Sequence, residues 1–159
     1  MSEQMVAEDL KLELKRIIRA DRSRVFAAWT KPELISKWFG PGTMIVPSAE
    51  ADARPSGKYC IEMKRTEPAT VDTHLSDTFT VHGIYQQVVP DELLVFTWRW
   101  DFDPLIETLV TVRFSDVQSG GTEVTLLHEH FASANTLGRH EHGWTGSLAK
   151  LASILEKEE

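Results

Sequence analysis

Leu10, Leu12 and Leu14 alternate with Lys11, Glu13 and Lys15, and the pattern runs on to Ile18. A period of two sends successive side chains to opposite faces, so this stretch predicts a first strand with one wet face. The period then lengthens. Val25, Phe26 and Trp29, followed by Leu34, Ile35, Trp38 and Phe39, fall at helical spacings. Two short helices are predicted. Asp21 or Ser23 can cap the first, and Thr30-Lys31-Pro32-Glu33 restarts the second with proline early, where its missing N–H costs nothing. Gly40-Pro41-Gly42 cannot continue a helix and ends it.

Alternation returns downstream. Met44 to Ala53 reads as extended, but Pro47 removes a ladder donor and demotes it to an edge or bulged strand. After a turn at Ser56-Gly57, Tyr59, Ile61 and Met63 alternate with Lys58, Cys60, Glu62 and Lys64. Thr66 to Asp77 is polar, contains a proline and reads as a loop at the rim. Phe79, Val81, Gly83 and Tyr85 form the next inward row. A tight turn at Val89-Pro90-Asp91-Glu92 leads to Leu94, Phe96, Trp98 and Trp100, and Asp101 to Pro104 turns again. Val110, Val112 and Phe114, then Val124, Leu126, His128 and His130, finish the series across a hairpin at Ser119-Gly120-Gly121.

From Asn135 to Lys157 the spacing changes once more. Leu137, Trp144, Leu148, Leu151 and Leu155 are seven, four, three and four apart, one apolar stripe on a helix about 30 Å long. Gly143, Gly146, Ser147, Ala149, Ala152 and Ser153 are small enough to let a sheet approach its axis. Hairpin connections imply antiparallel pairing. The predicted architecture is α+β: a curved antiparallel sheet of about six to seven strands around a long C-terminal helix, with two short helices after strand one. All 159 residues are expected to form one domain, with a core from about residue 10 to 157.

Composition narrows the functional classes. Hydrophobic residues at 42% and charged ones at 26% are ordinary for a globular protein. A net charge of −7 gives phosphate-rich nucleic acid and anionic membranes no long-range attraction, so neither partner is expected. No stretch has 18 consecutive apolar residues, and the first residues carry no export pattern, so no membrane insertion and a cytoplasmic location are expected. Cys60 is the one cysteine, which excludes an internal disulfide.

The inward aromatics Tyr59, Tyr85, Phe96, Trp98 and Trp144 are the leading ligand-contact candidates, because such rings offer large area and, for Tyr and Trp, a polar handle. Ile61, Val81, Val110, Val112, Phe114, Leu126, His128 and Leu148 would line the same space, with Met63 an adaptable gap-filler. His128 and His130, two apart on a strand, are expected on one face. His140 and His142, two apart on a helix, are about 200° apart and cannot share an ion. No zinc spacing is present, and neither a metal nor a cofactor is expected. His128 or His142 is expected to make a structural hydrogen bond where strand and helix ends meet, with His140 solvated. Glu50, Glu62 and Arg113 fall on the wet register.

Four runs of residues carry a resemblance: WFGP from Trp38 to Pro41, GIYQQVVPDELLVFTWRW from Gly83 to Trp100, GGTEVTLLHEHF from Gly120 to Phe131, and HGWTGSLAKL from His142 to Leu151. They resemble the Hsp90-ATPase-activator-homologue-like family of the START/Bet v 1-like (SRPBCC) superfamily, over about Leu12 to Leu155. The resemblance implies a helix-grip fold in which the sheet encloses an apolar cavity against the last helix. It implies three functions. The first is binding of a small hydrophobic or amphipathic ligand in that cavity without a catalytic residue. The second is a stress-response, co-chaperone-like partnership with a chaperone such as Hsp90. The third is a cyclase-like or hydrolytic reaction in the same cavity, relying on His128 and a tyrosine.

Overall fold

The structure, a computed structural model, describes residues 10–40, 44–66 and 78–157. Strand β1 (Leu12–Ile18) precedes helices α1 (Arg22–Thr30) and α2 (Pro32–Trp38). Strands β2 (Ile45–Ala51), β3 (Lys58–Lys64), β4 (Thr78–Val89), β5 (Leu93–Trp100), β6 (Thr108–Asp116) and β7 (Thr122–Glu129) follow, and helix α3 (Ala134–Lys157) ends the described chain. The seven strands form one sheet in the order β1-β7-β6-β5-β4-β3-β2. All its pairings are antiparallel. Each strand from β2 to β7 pairs with its sequence neighbour, so hairpins build the sheet, and β1 returns to flank β7. This is the curved sheet, long terminal helix and pair of short helices that the pattern predicts.

The sheet bends where its ladders slip. Register shifts occur between Ile45 and Ser48, around Pro47, and between Tyr85 and Gln87, and such bulges increase local curvature. β2 lies at the edge, where a proline's missing donor is tolerated. Gly83 has a separate reason to be glycine: a Cβ there would lie 2.0 Å from the Thr97 carbonyl oxygen. That oxygen accepts the Tyr59 hydroxyl at 2.5 Å, and the Thr97 hydroxyl accepts the Ile84 N–H at 2.8 Å. The close approach of β4 to β5 therefore ties three strands together through one threonine.

Helix termini differ in part from the sequence reading. Asp21 occupies the cap position of α1, but its side chain makes no capping bond; its backbone carbonyl accepts the Arg24 and Val25 N–H groups. Pro32 stands in the first turn of α2 as expected. That helix stops at Trp38, and Gly40 takes φ +90°. Pro41 and Gly42 of the predicted stop, and all of the predicted rim loop after Thr66, lie outside the described residues. At the start of α3 the Ser133 hydroxyl accepts the Thr136 N–H at 3.1 Å, an N-cap bond worth about 1 kcal/mol. At its far end Arg24 donates to the Leu155 carbonyl and the Arg19 N–H donates to Glu156, each at 3.0 Å.

The buried stripe of α3 is Trp144, Ser147, Leu148, Leu151, Ala152 and Leu155. It faces Val81, Leu94, Val110, Val112, Val124 and Leu126 of the sheet in one hydrophobic core. The short helices close one end of this core: Trp29 packs 4.8 Å from Trp38 and stacks 5.8 Å from Trp144, and the Trp38 indole donates to the Ala28 carbonyl at 2.8 Å.

Candidate functional site

At the other end of the core, sheet and helix part. The space between them is a recess of about 460 Å³. Its helix wall is Thr136, Arg139, His140, Gly143, Trp144 and Ser147 of α3. Opposite stand Trp98 and Trp100 of β5, Thr108 of β6, and Phe102, Asp103 and Ile106 from the β5–β6 turn. Phe39, Gly40, Met44, Met63, Arg65 and Phe79 form a third side, and Phe131 and Ala132 a fourth. Seven of these side chains are Phe or Trp rings, so the walls are largely apolar and stiff.

Three indole rings are held in place through two histidines. Trp144 donates its indole N–H to His128 Nδ1 at 3.0 Å, and His128 Nε2 lies 2.7 Å from the Thr108 hydroxyl. An indole only donates, so Nδ1 must carry a lone pair, and the imidazole proton therefore resides on Nε2. His128 Nε2–H then donates to Thr108, whose hydroxyl donates to the Trp98 carbonyl at 3.3 Å. The same logic fixes His140. Its Nε2 accepts from the indoles of Trp98 at 3.3 Å and Trp100 at 3.0 Å, while Nδ1–H donates to the Thr136 carbonyl at 2.9 Å. Both rings are thus neutral, in opposite tautomers, with centroids 5.1 Å apart.

Electrostatics agree with this assignment. Burial, then the neighbouring His140, push the His128 pKa well below the ordinary imidazole value. Burial also lowers His140, against a smaller opposing effect of the Thr136 carbonyl. Protonating His140 would place a third N–H against two indole donors, which explains why the cost is real. Burial raises both tyrosines far above the usual phenol value, and they stay protonated.

The candidates from sequence separate into three groups. Met63, Trp98 and Trp144 line the recess. Tyr59, Ile61, Tyr85 and Phe96 instead surround a small void of about 20 Å³ beneath the short helices, where Tyr59, Tyr85 and Phe96 pack at ring separations of 5.3 to 5.9 Å. Val81, Val110, Val112, Phe114, Leu126, Leu148 and His128 are buried in the core and are not among the recess walls.

Three expectations about the histidines meet the structure here. His128 makes the structural bond, whereas His142 is exposed. His140 is not solvated: it is partly buried and grips two indoles. His130 does not share a face with His128, because it lies beyond β7 at φ +76°, a left-handed conformation that redirects its side chain. For His140 the spacing carries a usable signal: it stands four residues before Trp144, one helical turn from the start of the buried stripe. Trp100 continues the Phe96-Trp98 row, and parity alone could have added it. Arg65, Phe102, Ile106 and Phe131 have no periodic signal, since turns and strand ends bring them in, and Arg139 sits on α3 outside its buried stripe.

Among the described residues no three His, Cys, Asp or Glu side chains gather as a metal-binding group. Among the same residues no helix is long and apolar enough to cross a membrane.

Comparison with known proteins bears on this arrangement. The family described as Activator of Hsp90 ATPase homolog 1-like protein matches residues 19–156. Among solved structures, the AHSA1 protein from Silicibacter pomeroyi is 27% identical, with 94% of this chain and 99% of that one covered and a TM-score of 0.79. A Chromobacterium violaceum protein is 25% identical, covering 92% and 97% at a TM-score of 0.76. A Nitrosomonas europaea protein at 24% identity, covering 93% and 95% with a TM-score of 0.74, shares the fold. No curated protein matches the chain.

Proposed function

Because the chain belongs to the Activator of Hsp90 ATPase homolog 1-like family, within the Bet v 1-like superfamily of helix-grip proteins, we propose that it binds a small apolar or amphipathic molecule between sheet and C-terminal helix. The observation that carries this reading is the recess of about 460 Å³, inside the range of roughly 300–1,000 Å³ that small-molecule sites occupy. A second support is the way its walls are held. Trp98, Trp100 and Trp144 have their indole donors engaged by histidines, so the rings are preorganised and a guest does not have to order them. The tryptophans also make the site self-reporting.

The test is Gly143→Leu. Gly143 lies on the helix wall of the recess, where a leucine side chain would fill part of the space. Leucine is also a better helix former than glycine by about 0.5–1 kcal/mol. Binding of an apolar dye, followed by tryptophan fluorescence, should weaken at least about tenfold, while the thermal midpoint holds or rises. Unchanged dye affinity in a folded variant would place the bound dye elsewhere and remove the reading.

A second reading follows from the family's description: a surface partnership with an Hsp90-type chaperone. Phe102 and Leu105, 66% and 90% exposed, are the apolar side chains such a contact would use. Adding the protein to Hsp90 should raise its ATP turnover, and Leu105→Ser should reduce the gain; a flat rate rejects it. Proton transfer at His128 has less support. That ring is 0% exposed and both its nitrogens are occupied.

A further inference from the structure

We propose that the guest is a monoanionic amphiphile: an apolar body seated among the aromatic walls, and a carboxylate or similar head met at the rim by Arg65 and Arg139. This rests on the binding reading above and names the ligand class for the same recess. Size comes first. At about 30 Å³ per water-sized unit, a space of about 460 Å³ holds on the order of fifteen non-hydrogen atoms. That suits a medium-chain or aryl-alkyl acid, and is too small for a membrane phospholipid with two long chains.

Charge selects the head. Among the described lining residues the ionisable groups are Arg65, Asp103, Arg139 and His140. His140 is neutral, because its one lone pair is spent on two indoles and its one proton on a carbonyl. Two guanidiniums then face one carboxylate, a positive balance in a chain whose net charge is −7. The recess thus reverses the sign of the protein around it.

The two arginines are placed to serve. The Arg65 guanidinium carbon sits 5.2 Å from the centroid of the Phe79 ring, which holds it at the wall through a cation–π contact and leaves its N–H edge open. Arg139 is exposed and immediately precedes His140 on the helix wall. Neither pairs with a carboxylate among the described residues. By contrast Arg22, Arg54 and Arg99 are neutralised by Asp116, Asp52 and Glu107. A planar fork with five donors matches a carboxylate better than any other head of this size. Asp103 works against the anion, and its removal should therefore help.

The experiment compares decanoate, decanol and decylamine at neutral pH, reading tryptophan fluorescence and confirming by calorimetry. Decanoate should bind about tenfold more tightly than decanol, the difference a charge-assisted bond makes, with decylamine weakest. Raising the salt concentration should weaken decanoate and leave decanol unchanged, since a rim charge is screened and an apolar contact is not. Arg65→Gln with Arg139→Gln should bring decanoate down to the affinity of decanol, without changing decanol itself. Asp103→Asn should tighten decanoate severalfold. Equal binding of decanoate and decanol by the unaltered protein overturns the head assignment while the binding reading stands. Tightest binding by decylamine overturns it too and gives the rim to Asp103. If none of the three binds, the binding reading falls as well. The salt comparison needs no variant, so a misfolded double substitution would not spare the proposal.

Discussion

The two ends of the space between sheet and helix use the same kinds of side chain to opposite effect. Under the short helices, Trp29, Trp38, Tyr59, Tyr85 and Phe96 close on a void of about 20 Å³. Toward the β5–β6 turn, Trp98, Trp100, Phe102, Phe131 and Trp144 leave about 460 Å³. Aromatic content does not separate the two regions; what covers them does. At the closed end α1 and α2 press down; the Trp38 indole donates to the Ala28 carbonyl and the Tyr59 hydroxyl to the Thr97 carbonyl, while the buried Trp29 indole N–H has no hydrogen-bond partner among the described residues. At the open end no helix among the described residues covers the rings. Their N–H groups are taken by His128 and His140 instead, which hold them upright against the walls. Trp98 and Phe39 border both spaces and so form the partition. A row of inward aromatics is therefore neutral evidence, packing where a lid sits and a site where none does.

Substitutions on either side of the partition should diverge, most of all for tryptophan. Trp38→Ala should cost about 3–5 kcal/mol in a urea unfolding experiment, as removal of a fully buried ring usually does. Trp100→Ala, at a half-buried ring, should cost less than about half of that yet weaken ligand binding more. Equal stability losses would erase the distinction between the ends.

The histidine pair should reveal itself through pH. Both folded pKa values are lowered, whereas an unfolded imidazole titrates near 6.5. Below that value the unfolded chain binds more protons than the folded one, so stability is whole above about pH 6.5 and is lost as the pH falls. Each histidine can contribute a slope of at most about 1.4 kcal/mol per pH unit. His140→Gln should flatten the dependence of the urea midpoint between about pH 6.5 and 5. A slope identical to that of the parent protein would contradict a neutral, indole-gripped His140.

The smallest effect is predicted at Gly138. A Cβ there meets nothing within 4 Å, so Gly138→Ala on the exposed start of α3 should stabilise by about 0.5–1 kcal/mol and leave ligand affinity alone. Any loss of binding would mean that the start of the helix must flex to admit a guest.

Most of the fold was legible because strand and helix report themselves locally. The alternation of Tyr59, Ile61 and Met63 and the stripe from Trp144 to Leu155 each state which face is buried, and face is a property of a few consecutive residues. Pro47 marked the bulged edge for the same reason. The candidate site was legible only in part. Met63, Trp98 and Trp144 were identified by parity, but so were Tyr59, Tyr85 and Phe96, and parity says nothing about position along the barrel. Depth depends on which strand end lies beneath α1 and α2, a matter of pairing register over long sequence separations.

What composition and periodicity could establish, then, is the helix-grip topology and the set of rings that point inward, since hydrophobic burial acts on each element separately. Where the interior stays open was settled by assembly: two short helices cover one half of the rings, and the β5–β6 turn and the first turns of α3 stand apart over the other. Arg65, Arg139 and His140 share a rim because strand end and helix start meet there in space, and no local pattern of residues encodes that meeting.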